Sequence, residues 1–554
     1  MDKITLTFPD GSSREVSFRS KGSSVVGWFD SPSDIVALKV DNEVMSLCRP
    51  LRTNAKIEPV RINSKDGSEI YRRSLCFVLA AAAHELFPDF RLLVGHSLGY
   101  GYYYTLDRDS PLSAVEISSL EERMRSLVSA DLPIFTEHVS YDEACAITEK
   151  LGLTETRRQL EYRCKPRVLL NRLGGIALEN FADVYFSPLV ERTGILSVFE
   201  LKQYGEGFLL RFPTSSEPKK LSDFQDNPKI FEVYKNYKAW GQRVGVTSAA
   251  ALNEIIAKRK MNDFIDITET FQAQNFARVA EQIHNHGSVK VVLIAGPSSS
   301  GKTTSAKKLA LQLQALGYRP HVLSLDSYYV GRERNPKDEN GNYDYECLEA
   351  LDIPYLNQNL LDLFSGKEIE VPSYNFDLGE RFFSGKKMKI EENDILIMEG
   401  IHGLNDKLTP LVKPELKFKI YLSALTQLNL DDHNRVPTSD NRLIRRIVRD
   451  ANFRGKSAAA TIGMWESVQK GERLHIFPFQ NNADAVLNTA LDYELPVLKV
   501  YVEPALRAVK PSQAEYTEAS RLLRFLSQFN AISSDYVPSQ SIIREFIGGS
   551  AFKY

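Results

Sequence analysis

The sequence predicts an α/β protein: a P-loop domain with a mostly parallel, doubly wound sheet, preceded by a small β-rich module and an α+β domain. Three observations predict it. Strand and helix patterns alternate from about 288 to 505, as a parallel sheet with crossover helices requires. The stretch "VVLIAGPSSSGKTTSAKKLALQL", 291–313, joins an apolar strand to a helix through a glycine-flanked loop. Residues 1–62 alternate apolar and polar positions around turn residues.

The elements follow in order. "KITLTFPDGSSREVSF" alternates about Asp10-Gly11, and "IVALKVDNEVMSL" about Asp41-Asn42, so both read as hairpins. "AKIEPVRI" adds a strand. "SEIYRRSLCFVLAAAAHELFPDF" reads as a helix stopped by Pro88, "GYGYYYTLD" as a strand, and "SAVEISSLEERMRSLVSA" as an amphipathic helix. "RFPTSSEPKK" is a Pro/Ser-rich break. The predicted units are a β-rich module over 1–62, an α+β domain over 63–221, a polar helical connector over 222–287, the P-loop domain over 288–505, and a C-terminal helix and tail over 506–554.

The bulk properties exclude several classes. Formal net charge is −2 over 554 residues, so no global basic field argues for nucleic acid. The longest apolar run, "LCFVLAAAA", is far too short to cross a bilayer, and the N-terminus shows no secretory pattern. Five scattered cysteines without C-x-x-C predict neither disulfides nor a zinc ribbon. The expectation is a cytoplasmic protein with no membrane partner, able to form a homo-oligomer.

Gly296, Pro297, Ser298, Ser299, Ser300, Gly301, Lys302 and Thr303 satisfy G-x-x-x-x-G-K-[ST], and Thr304 follows. The glycines let backbone N–H groups turn inward around phosphate oxygens, and the helix adds its N-terminal partial charge. Lys302 is expected at the β/γ-phosphates, and the Thr303 hydroxyl on Mg²⁺. ATP is therefore the expected donor. Asp326 ends the strand of "HVLSLDSYYVG" and suits a base for an attacking hydroxyl; a helix N-cap is the alternative. Glu399 ends the apolar strand of "DILIMEGIHGL" and is a candidate Mg²⁺ ligand through water; a solvent-facing glutamate is the alternative. In "DNRLIRRIVRDANFRGK", Arg442, Arg445, Arg446 and Arg449 share one helix face. Four guanidiniums there call for an anion, which a lid closing over phosphates supplies; a solvated basic face or an RNA contact is the alternative.

Together these motifs resemble the uridine/cytidine kinase family, a branch of P-loop kinases related to phosphoribulokinase, over about 290–490. The resemblance implies Asp326 as base for a ribose 5′-hydroxyl. It implies Tyr329, Asp344, Tyr374, Phe376, Arg381 and Arg446 around the nucleoside, and Arg449 and Arg454 on the phosphates. Lys456 stands where the family has arginine. Gly379 stands where it has a histidine on the pyrimidine edge, and a lost polar group changes which base a pocket accepts.

Residues 1–62 resemble a TGS module, and 63–215 resemble the editing domain of threonyl-tRNA synthetase. That domain's four metal-site positions fall here on Arg73, Phe77, Tyr185 and Leu189, so the resemblance implies neither zinc nor hydrolytic editing. His84 and His96 have no partner at ligand spacing. The front half then reads as a binding or regulatory module for a tRNA end, an amino acid or a nucleotide, with a role in assembly alone as the alternative. The expected activity is ATP-dependent phosphorylation of a nucleoside, uridine or cytidine first. The alternatives are another sugar or metabolite as acceptor, and an RNA- or ribosome-associated ATP-driven switch. A switch leaves Asp344 and Tyr374 without a role.

Overall fold

A computed structural model describes residues 3–175, 181–337, 341, 343–375 and 378–553. The first module is a five-stranded sheet. Its hairpins are Lys3–Thr7 with Ser13–Ser17 and Ile35–Val40 with Glu43–Ser46, and Ala55–Arg61 runs between them, parallel to the first strand. Asp41 and Asn42 both take positive φ, 49° and 62°, which is the backbone a tight two-residue hairpin demands.

The helix Lys65–Leu86 follows, and its apolar centre from Leu75 to Ala83 is buried. It packs on Ala114–Ser129, which Ser113 and Glu116 close with a reciprocal capping box. Two small antiparallel sheets complete this α+β unit, with Gly101–Leu106 inside one of them.

The second half is built on a five-stranded, all-parallel sheet. In spatial order its strands are Arg319–Ser324, Asp394–Glu399, Val291–Ala295, Lys417–Ser423 and Ala485–Asn488. Alternate residues serve opposite faces. Val292, Ile294, Ile395 and Ile397 enter one core, while Val291, Leu293, Leu396 and Met398 enter another. Both faces are thus covered, which explains why these strands read as unbroken apolar runs.

The stretch 222–287 forms helices Pro228–Val244, Ala249–Ala257 and Met261–His286. Phe264, Ile265, Phe276 and Ile283 lie in the same core as the parallel sheet. Its polar composition reflects the outer helix faces only.

The two halves are pinned by the loop before the arginine-rich helix Thr438–Phe453. His433 Nδ1 lies 2.7 Å from Asp183, and Asp432 accepts from the Thr156 N–H at 2.8 Å. The Asn434 amide donates to the Val184 carbonyl at 2.8 Å. Among the described residues, no helix is long and apolar enough to cross a membrane.

Candidate active site

The phosphate loop leaves the central strand of the parallel sheet. Its shape depends on glycine at two places. A Cβ on Gly296 would lie 2.4 Å from the Leu422 carbonyl oxygen, and Gly301 takes φ +80°. Lys302 opens the helix Lys302–Ala315 and donates to the carbonyls of Gly296 and Pro297 at 3.0 and 3.3 Å. The hydroxyls of Ser299 and Ser300 are buried without a hydrogen-bond partner among the described residues.

Parallel pairing brings two carboxylates to this loop. Ile294 and Ser324 both register with Glu399, so neighbouring strands end beside one another. Glu399 is 6% exposed and accepts from the Thr303 hydroxyl at 3.3 Å, so it does not face solvent. Burial, then Asp326, pushes its carboxyl up to about 7, against the pull of Lys302. Asp326 lies two residues beyond its strand in the turn Leu325–Tyr328, where Ser324, not Asp326, caps the turn. No hydrogen bond to its carboxylate occurs among the described residues. Asp326 is an exposed residue, yet the protein around it still desolvates its carboxylate. That crowding raises its pKa, and Lys302, Arg454 and Arg449 oppose the rise. A threonine hydroxyl against a buried carboxylate, with a second carboxylate near, is a hard-oxygen set that suits Mg²⁺.

The arginine-rich helix corrects one expectation. Its anions are supplied by the protein. Arg442 pairs with the buried Glu472 and donates to the Ser298 carbonyl at 2.9 Å. Arg445 is fully buried, donates to Glu494 at 2.7 Å, and reaches the Ser299 carbonyl at 3.3 Å. These two arginines hold the helix against the phosphate loop. Arg446 donates to the Ser298 hydroxyl at 2.6 Å. Arg446, Arg449 and Arg454 surround the single buried carboxylate of Asp450 at 3.5, 3.0 and 3.8 Å. Three guanidiniums on one carboxylate leave net positive charge. Burial, then the neighbouring Arg449, lowers the pKa of both Arg446 and Arg454.

On the opposite side, the Tyr329 and Tyr374 rings lie 5.5 Å apart, and the Tyr329 hydroxyl donates to the Tyr345 carbonyl at 3.1 Å. The Asp344 carboxylate accepts from the Glu346 N–H at 3.0 Å, within its own loop. Arg381 donates to Asp352 at 3.0 Å and to the Tyr328 and Tyr329 carbonyls at 3.1 and 3.2 Å, bracing its hairpin against the Asp326 turn. Phe376 lies outside the described residues. Gly379 turns the hairpin at φ +72°, and a Cβ there would fall 2.8 Å from Arg332 Nε. A side chain here would be strained at this φ and would require the Arg332 side chain to move.

Three acidic residues escaped the sequence reading. Glu472 accepts from the Ser298 N–H at 2.9 Å, and Glu545 accepts from the Thr304 N–H at 3.2 Å. Glu346 lies near Glu472, and burial, then Glu472, pushes it up to about 7. None sits in a recognisable motif. Only the charge excess of the arginine-rich helix hinted that carboxylates were needed.

Comparison with known proteins bears on this site directly. The model of the Phosphoribulokinase / Uridine kinase family matches residues 291–495. Residues 291–495 are a domain of that family. It is a P-loop kinase domain, and its family uses ATP with Mg²⁺. A protein described as a "Possible Uridine Kinase" from Bacillus stearothermophilus is 18% identical, covering 39% of this chain and 98% of its own, with a TM-score of 0.27.

The front half resembles threonine–tRNA ligases. That of Hyphomonas neptunium is 36% identical over 154 residues, 27% of this chain and 23% of the ligase. That of Citrifermentans bemidjiense is 29% identical over 209 residues, 36% of this chain and 31% of the ligase. The match spans less than a third of either ligase. The four metal-site positions do meet, as packing. Phe77 lies edge-on to Tyr185 at 5.7 Å, Arg73 donates to the Pro188 carbonyl at 3.2 Å, and Leu189 is buried.

Proposed function

We propose that this chain transfers the γ-phosphoryl of ATP to the ribose 5′-hydroxyl of a nucleoside, uridine or cytidine first. The observation that supports this reading is the Asp326 carboxylate, without a hydrogen bond among the described residues and facing Lys302, Arg449 and Arg454. In this reading Asp326 accepts the hydroxyl proton as the new O–P bond forms and the bond to the β–γ bridging oxygen breaks. Lys302, Arg449 and Arg454 neutralise the charge that gathers on the leaving oxygens. Thr303 and Glu399 would hold Mg²⁺, which supplies charge neutralisation across the phosphates. The Tyr329–Tyr374 pair offers an apolar wall to a base or sugar. No covalent enzyme intermediate is required.

A second reading keeps the kinase and changes the acceptor to another sugar or metabolite. The turn at Gly379 favours it, because it withholds a polar group from the edge of a pyrimidine base. ATP consumption should be screened against nucleosides and sugars, with a no-acceptor control and product mass. A nucleoside 5′-monophosphate is the expected product. A product from a sugar alone selects the second reading, and turnover without any acceptor overturns both.

A further inference from the structure

A cavity of about 540 Å³ lies where the synthetase-like half meets the kinase domain. One wall comes from the helix Lys65–Leu86 and the strands beside it, the other from the segment leading into the arginine-rich helix. Arg72, Arg73 and Arg435 line it, each half-buried. None of the three forms an ion pair among the described residues. Arg72 lies over the Phe212 ring at 5.1 Å and Arg435 over the Tyr102 ring at 4.9 Å. Those two rings touch edge-on at 4.8 Å, so the guanidiniums are held in place by one aromatic pair.

The carboxylates in this wall do not balance them. Glu472 is paired with Arg442 and Asp440 with Arg521. Glu69 remains; it forms no ion pair among the described residues, and one carboxylate acting on Arg73 from a distance is set against three guanidiniums. Gathering partly desolvated guanidiniums in one cavity is costly unless an anion joins them. Two neutral groups also present themselves. His96 is 7% exposed and Tyr185 4%, both line the cavity, and neither His96 Nδ1 nor the Tyr185 hydroxyl has a hydrogen-bond partner among the described residues. Burial, then Arg435, pushes His96 down to about 3, so its ring is neutral and offers one donor and one acceptor.

We propose that this interdomain cavity binds a small molecule carrying phosphate, at a site separate from the phosphate loop. Guanidinium forks match phosphate oxygens in pairs, and the neutral His96 and Tyr185 complete the shell. Carboxylate ligands satisfy fewer of these donors. The cavity reaches Pro297 of the phosphate loop and Arg442, which holds Ser298, so the site adjoins that loop while its own donors are Arg72, Arg73 and Arg435 rather than Lys302.

Calorimetric titration of the full chain with inorganic pyrophosphate tests this. Wild type should bind two equivalents. Lys302→Ala should weaken one and keep the other, while the Arg73→Gln/Arg435→Gln pair should weaken the other at least tenfold. ATP turnover by that double variant reports that it is folded. If it is not, Arg73→Lys/Arg435→Lys, which keeps charge and loses the fork, should still weaken binding. A nucleoside monophosphate as second probe separates sources: tighter binding than pyrophosphate assigns a nucleotide, weaker binding a simpler phosphate. A single equivalent that vanishes with Lys302→Ala, or a second equivalent unmoved by the arginine changes, overturns the proposal.

Discussion

The Glu545 carboxylate rests on Thr304, accepting from its N–H at 3.2 Å and from its hydroxyl at 2.5 Å. Thr304 lies in the first turn of the helix that follows the phosphate loop, where free N–H groups bind anions. The C-terminal segment therefore places a negative charge where a nucleotide phosphate would sit. Glu545→Gln should lower the KM for ATP by about tenfold, since a hydrogen bond to a charged group contributes roughly 1.5–3 kcal/mol. An unchanged KM would show that the carboxylate moves aside freely. A raised KM would show that the tail helps to build the ATP site.

Asp326→Asn keeps the shape of the side chain and removes the base. kcat should fall by about 10²–10⁴. ATP affinity, measured by equilibrium titration, should stay within about twofold. Equal loss of both would assign Asp326 to nucleotide binding.

Arg445 and Arg446 are neighbours with different tasks. Arg445→Met strands the buried Glu494 and should cost about 3–5 kcal/mol of stability. Arg446→Met should leave thermal stability nearly unchanged while kcat/KM falls at least tenfold. Denaturation and kinetics on both variants check the split; matching profiles would refute it.

The docking of the two halves should weaken as pH rises. Burial alone would lower the His433 pKa, but the carboxylates of Asp183, Asp432 and Asp431 outweigh it and raise it. Burial, then Asp183, pushes Asp431 up to about 7, and burial also raises Asp432, against His433 and Arg91. His84 also faces this cluster. A histidine raised above its unfolded value of about 6.5 stabilises the fold below that pH and loses this as pH climbs through the folded value. A carboxyl raised from about 3.9 opposes folding progressively as pH rises towards its folded value. The signs agree, so apparent Tm should fall as pH rises towards about 7 with Asp431, and fall further above that as His433 loses its proton. His433→Gln should flatten the slope; an unaltered slope would place the titration elsewhere.

Metal analysis of the purified chain should find zinc well below one per molecule. Phe77 and Tyr185 pack as an aromatic pair where a metal site would need donors. Stoichiometric zinc would relocate the relic site.

The phosphate loop was legible because its chemistry is contiguous: eight residues between a strand and a helix specify both the turn and the donors. The first hairpins were legible for the same reason, since Asp10-Gly11 and Asp41-Asn42 sit between alternating strands. The arginine-rich helix was legible as a helix, and its need for anions was legible as charge. Which anions was not, because Glu472 and Glu494 lie 30 and 49 residues beyond their partners. Likewise, Asp344 carries no local sign that its carboxylate folds back on Glu346.

What the sequence by itself determined is therefore the local half of the protein: the turns, the capped helices, the buried parallel strands and the nucleotide loop. Each follows from periodicity or backbone chemistry over a few residues. The tertiary structure alone decided the rest. It brought Glu545 to Thr304 across 241 positions and Asp183 to His433 across 250. It made 222–287 part of the kinase core and set Arg72, Arg73 and Arg435, which form no ion pair among the described residues, between two halves. Such contacts leave no periodic trace, because they arise when distant segments compete for the same buried charges after the loops have closed.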